Sequence, residues 1–208
     1  MHVRSWMTAA LLALAACGGH APAAQSPQPT EAQAPGAGAP APAGEAAGAL
    51  AQAPFTAEQI RDATPVGRTY RFALRQGEQE VQVTVRFTKV APDQASMERT
   101  IVDASGKVLE QATEDTSWQQ IVGHAAYPAD ATEITDATVE VPAGTFDAML
   151  YTVSGEQDGK PVVSRMYFAK SLPGAPVKTE ITVGDQVVFS MVLIEHVAGQ
   201  EAGPPVGQ

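Results

Sequence analysis

From residue 69 onward the chain alternates. Tyr70, Phe72 and Leu74 interleave with Thr69, Arg71 and Ala73; Val81, Val83, Val85 and Phe87 interleave with Gln82, Thr84 and Arg86. A period of two sends every second side chain to the same side of the backbone, so each run reads as a strand with one dry and one wet face. Gln76, Gly77 and Glu78 separate the two runs as a short turn, which predicts an antiparallel hairpin. The same grammar recurs down the chain. Strands are expected over 97–102 and 108–113 around the turn 103–106, over 134–141 and 146–153 around Pro142–Gly144, and over 162–169 after Gln157, Asp158 and Gly159. Two more follow, 177–183 after Leu172, Pro173 and Gly174, and 187–194 after Gly184 and Asp185. Two short helices break the pattern. Thr56 is an N-cap candidate for 57–62, and Thr116 or Ser117 for a segment ending at His124, where Trp118, Ile121 and Val122 form an apolar edge.

Short connections between strands force antiparallel pairing. The expected fold is therefore mainly β: a meandering antiparallel sheet, strongly curved or barrel-like, with one or two short helices. The last strand, 187–194, is apolar on both faces. A helix, a fold-over of the sheet or a bound apolar ligand is expected on its second face.

Before residue 55 the alternation is missing. Residues 18–54 are dominated by Ala, Pro and Gly, which cannot bury enough apolar side chain to offset the entropy of ordering. This stretch reads as a disordered tether with polyproline II character, spanning roughly 35 Å as a coil and about 115 Å fully drawn out. The expected organisation is an export segment over 1–16, the tether over 17–54, a β-rich domain over 55–198 and a disordered tail over 199–208.

Residues 7–16 form an apolar run too short to cross a bilayer as a helix, behind a start made weakly basic by His2 and Arg4. Its length suits a signal h-region. It ends in Leu14-Ala15-Ala16-Cys17, which resembles the lipobox of bacterial lipoproteins. The resemblance implies a lipid-modified Cys17, cleavage before it, and acylation (palmitate among the usual chains) of the new N-terminus. Two or more acyl chains hold a protein at a membrane where one does not. Gly18 stands where inner-membrane retention in such lipoproteins usually needs Asp, so the resemblance implies an outer-membrane anchor facing the periplasm. Cys17 is also the single cysteine of the chain, which excludes an internal disulfide.

The formal net charge is -10. Nucleic-acid binding needs a basic face to displace counterions from phosphates, and the basic residues here are scattered among acidic ones, so no nucleic-acid partner is expected. The same balance disfavours attraction to anionic head groups, which leaves Cys17 as the means of membrane attachment.

In the second half, Val141-Pro142-Ala143-Gly144-Thr145-Phe146, then Arg165, Met166, Tyr167 and Phe168, then Pro173, Gly174, Val177, Lys178 and Glu180 together resemble a pattern of uncharacterised bacterial envelope proteins. There a V-P-A-G-T-F turn precedes a strand ending in an aromatic pair, a Pro-Gly break and a V-K-x-E strand. Tyr167-Phe168 departs from the usual W-Y. The resemblance implies a curved antiparallel sheet, sometimes compared with lipoprotein carriers, and no established activity. On physical grounds Pro142 sets φ for the first turn position, Gly144 supplies a positive φ at the next, and the strand restarts at Thr145.

Catalytic chemistry is not legible. His124 and His196 are the histidines of the β-rich segment; neither sits at ligand spacing with Glu114, Asp130 or Glu195, and Glu195 and His196, adjacent on a strand, point to opposite faces. Nucleophile elbows and phosphate-cradling glycine loops are absent from the sequence. No enzyme activity, metal or cofactor is expected. Two roles remain. The first is a scaffold or interaction domain that docks on another envelope protein. The alternative is a carrier of a lipid or other apolar molecule in the concave face of the sheet, with Trp118, Met149, Met166, Phe189 and Met191 as candidate lining. The plainer reading of those five side chains is core.

Overall fold

The computed structural model describes residues 48–199. Cys17, the export segment, most of the tether and the tail from 200 lie outside the described residues. Nine strands form one antiparallel sheet: β1 (Thr69–Gln76), β2 (Gln79–Val90), β3 (Gln94–Asp103), β4 (Val108–Ser117), β5 (Thr132–Val141), β6 (Gly144–Gln157), β7 (Lys160–Ala169), β8 (Lys178–Val183) and β9 (Gln186–Val197). Their order is β4-β3-β2-β1-β9-β8-β7-β6-β5. Two meanders, one of four strands and one of five, are thus joined where β1 pairs with β9. The expected mainly-β sheet with two short helices is what the chain forms, curled rather than closed into a barrel. The curl is direct: β5 touches β9 although three strands lie between them.

The helices form where capping chemistry allows. In α1 (Ala57–Asp62) the Thr56 hydroxyl accepts from the Gln59 amide while the Gln59 side chain accepts from the Thr56 amide, a complete capping box. In α2 (Trp118–Gly123) Ser117 and Gln120 do the same, so Ser117 rather than Thr116 is the cap. Six residues cannot sustain a helix alone, and each is held by burying an apolar residue, Ile60 in α1 and Trp118 in α2.

The chain folds in from further upstream than the alternation shows. Ala51 donates to the Tyr127 carbonyl, Ala129 to that of Ala49, and the Tyr151 hydroxyl to that of Gln52 at 2.9 Å. Residues 49–54 are therefore a strap on the domain, carrying Phe55 edge-on against Phe168.

The turn after β5 differs from the expected geometry. Val141 pairs with Gly144, so Pro142 and Ala143 are the two turn residues and Gly144 (φ 138°) begins β6. Ala143 also donates its amide to the Leu193 carbonyl on β9, which pins the hairpin across the curl. Beside it, β6 switches its buried side along its length, from Ala148 on one face to Tyr151 on the other.

Candidate functional site

Register sorts the side chains into two faces. Leu74 lies opposite Val81 and Met191, Met191 opposite Thr179, Thr179 opposite Met166, and Met166 opposite Tyr151. One row toward the tips of the hairpins runs Gln76, Phe189, Ile181, Ser164 and Val153. One row the other way runs Phe72, Leu193, Phe168 and Met149. All share one face of the sheet.

The helices lie on that face. Trp118, 3 % exposed, stacks on Phe87 at 6.4 Å and gives its indole N–H to the Ala91 carbonyl. Tyr127 packs on Tyr151, and Tyr151 edge-on against Phe168. The strand directions place the turns after β1, β3, β6 and β8 at one end of the sheet, here the tip end. Both helices, the strap and the turns after β2, β5 and β7 occupy the other, the helix end. The concave face is thus filled by the chain's own side chains at the helix end and left half-buried at the tip end.

The five candidate lining residues divide accordingly. Trp118 is part of the plug and Met166 is buried core. Met149, Phe189 and Met191 are half-buried on the concave side. The second face of the last strand carries Val188, Val192 and Ile194, half-buried on the convex side. Neither helix covers them, contrary to the first of the coverings expected from sequence.

At the helix end the structure assembles a polar cluster that the sequence does not advertise. Arg68 is 2 % exposed. Its guanidinium donates to the Ala63 carbonyl at 2.6 Å, to the Thr64 hydroxyl at 3.2 Å and to the Pro173 carbonyl at 3.2 Å, and lies 4.8 Å from the centre of the Tyr70 ring. It ties the C-terminus of α1, where backbone carbonyls favour a cation, to β1 and to the β7–β8 turn. Burial pushes the Tyr70 hydroxyl up to about 12, with Arg68 pulling the other way. The His196 ring lies 5.2 Å from that of Tyr70. Burial first, and the Arg68 charge second, lower the pKa of His196. The Tyr70 hydroxyl and His196 Nε2 are enclosed without a hydrogen-bond partner. One signal was available: an arginine at the mouth of a strand whose next inward residues are Tyr70 and Phe72.

The other polar candidates lie apart. Glu195 pairs with Arg71 at 2.7 Å on the convex side, opposite His196. His124 caps the C-terminus of α2, Asp130 lies in a 3-10 turn, and Glu114 joins Glu110 around Arg99.

No protein-family model and no curated protein matches the chain. Among solved structures, a Bacteroides fragilis protein described as exported and as having a YmcC-like fold aligns with a TM-score of 0.45 and 14% identity, over 64% of this chain and 97% of that one. A chain from the Pseudomonas aeruginosa MucA/MucB complex aligns with a TM-score of 0.44 and 8% identity, over 67% of this chain and 54% of that one. This chain therefore spans about half the length of the second. At these scores the likenesses carry no function across.

Proposed function

We propose that the chain is a lipid-anchored protein of the bacterial envelope, held through Cys17 on the periplasmic side of the outer membrane, whose β-domain serves as a non-catalytic docking module for another envelope protein. The observation that supports docking over carriage is the plug. Phe55, Ile60 and Trp118 fill the helix end of the concave face, so the sheet is not a continuous cup. What is left is a shallow half-buried surface, suited to contact with a partner.

Two measurements test this. Cys17→Ala should move the protein from the membrane fraction to the soluble one; if it stays with the membrane, the lipid anchor is wrong. Photo-crosslinking in cells from position 189 should give a protein-sized adduct. A second reading, carriage of an apolar small molecule, is favoured by Phe189 and Met191 sharing the half-buried tip end with Met149 on the same face. Native mass spectrometry of the full chain showing one bound acyl species, with no protein adduct from position 189, would establish carriage instead.

A further inference from the structure

The sheet ends in two border strands, β4 and β5, and β4 is open along its backbone. In an antiparallel pair every second residue turns its amide and carbonyl toward the neighbouring strand, and the residues between turn theirs away. The β3–β4 ladder is fixed at both ends. The Trp118 amide donates to the Asp93 carbonyl at 3.4 Å, and the Asp103 amide to the Lys107 carbonyl at 3.0 Å. By twos back from Trp118, it is Thr116, Glu114, Ala112 and Glu110 that bond to β3. Gln111, Thr113 and Asp115 therefore point their amides and carbonyls outward, and among the described residues nothing bonds to them there. All three are exposed. The amide of the next outward residue, Ser117, is taken by the Gln120 side chain at 2.9 Å. The usual protections of a sheet edge are missing from 110–116. β4 is ten residues long, holds no Pro or Lys, and its register shift against β3 falls at Leu109, beside the turn. The β5 border is more crowded: Val139 and Val141 are buried, Lys170 reaches Asp136 at 2.6 Å, and the strap is bridged to Pro128 just ahead of the strand.

We infer that the free edge of β4 takes up an extended strand of a partner protein, bonded through the backbone of Gln111, Thr113 and Asp115 and carrying Lys or Arg at alternate positions. This rests on the docking reading above for its class of partner and places the contact at the border of the sheet. Charge chooses among the occupants. A strand laid on the edge sits about 5 Å from β4, so the side chains it meets first are those of β4 itself. They include Glu110, Glu114 and Asp115 and no base. Behind them β3 adds Glu98, Arg99 and Asp103, and Lys107 lies in the turn. A second copy would bring the same three acids into one ladder, where like charges repel. This chain's own residues 18–47 and 200–208 contain no Lys or Arg and are rich in Pro, Ala and Gly. A basic strand of another protein supplies both the backbone partners and the opposite charge.

The probe is a fluorescein-labelled peptide of alternating threonine and lysine. Its counterparts are a threonine–glutamate peptide and the threonine–lysine peptide with all its amides N-methylated. Each is titrated by anisotropy against the full chain in nanodiscs of neutral lipid, with empty nanodiscs subtracted. The lysine peptide should bind, and each counterpart should bind at least about tenfold more weakly. Binding should slow amide exchange at Gln111, Thr113 and Asp115. Thr113→Pro removes the central outward amide at an edge position, where proline is tolerated, and should weaken the lysine peptide by about tenfold. Thr138→Pro makes the same change at an outward position of β5 and should alter binding less than about twofold. Gln111→Lys with Asp115→Lys, at two exposed positions, keeps the backbone and should reverse the preference between the lysine and glutamate peptides. Failure of the lysine peptide to bind, equal binding of its methylated form, equal loss in the two proline variants, or an unchanged preference in the double lysine variant overturns the inference. A protein adduct from position 189 alongside any of those results would leave the docking reading standing and only the strand addition at β4 wrong.

Discussion

The helix end and the tip end of the concave face are built from the same strands with the same aliphatic and aromatic residues, yet one end is core and the other is surface. The difference lies in the connections. At the tip end Gln76 pairs with Gln79, Gln157 with Lys160 and Val183 with Gln186, so three of the four hairpins turn within two residues, and the fourth, after β3, spans only residues 104–107. At the helix end the entry before β1, residues 118–131 and residues 170–177 are long enough to fold back. Two of them do so as helices, carrying Ile60 and Trp118 onto the face. Loop length therefore decides which half of an apolar sheet face becomes interior.

The largest expected effect breaks or keeps that contrast directly. Trp118→Ala removes the stack on Phe87 and the bond to Ala91 and leaves a void at the middle of the plug, and should cost about 3–5 kcal/mol. Phe189→Ala at the tip end removes a ring that is already half in water and should cost about 1 kcal/mol. Urea unfolding of both variants measures the ratio; equal losses would mean that the tip end is as much core as the plug.

Arg68→Met comes next. It leaves the Ala63 and Pro173 carbonyls without their donor inside the domain, an expected loss of about 2–3 kcal/mol. Because the guanidinium ties α1 to the β7–β8 turn, amide exchange should quicken in both places. Exchange that quickens only within α1 would show that the arginine does not bridge them.

A smaller pair compares the ends through glycine. Gly106, in the β3–β4 turn at the tip end, and Gly199, at the helix end, share φ 84°. A Cβ at Gly106 meets nothing within 4 Å, while one at Gly199 would lie 2.5 Å from the Arg68 amide nitrogen. Gly106→Ala should cost only backbone strain, on the order of 1 kcal/mol. Gly199→Ala adds a clash with backbone and should cost more, read as a larger drop in melting temperature.

The strands and helices were legible in the sequence because each is written locally. Alternation over 81–87 marks β2, and Thr56 with Gln59 and Ser117 with Gln120 spell their caps. The plug was not legible, because it depends on where two six-residue helices land. Trp118 looked like a lining residue when judged by side-chain type and is a covering one. The strap was hidden for a similar reason. Residues 49–54 hold the domain by backbone hydrogen bonds and one tyrosine hydroxyl, and so leave no apolar period to read.

The smallest effect concerns pH and again belongs to the helix end. His196 packs its ring on Tyr70 with Arg68 close by, and its Nε2 is enclosed without a partner. Burial, and then the Arg68 charge, disfavour the imidazolium, so its pKa lies below the ordinary histidine value of 6.5. The unfolded chain therefore takes up a proton at a pH where the folded chain still resists it, and stability must rise with pH across that interval. The contribution is complete above about pH 6.5 and is lost as pH falls toward the folded pKa. Glu195, the nearest acid along β9, points to the other face and is held by Arg71, so it offers the imidazolium no relief. Urea midpoints at pH 7.5 and pH 5.5 should fall further for the native chain than for His196→Gln, which keeps a polar group in place and cannot take up the proton. The same fall in both proteins would assign the acid sensitivity to groups other than His196.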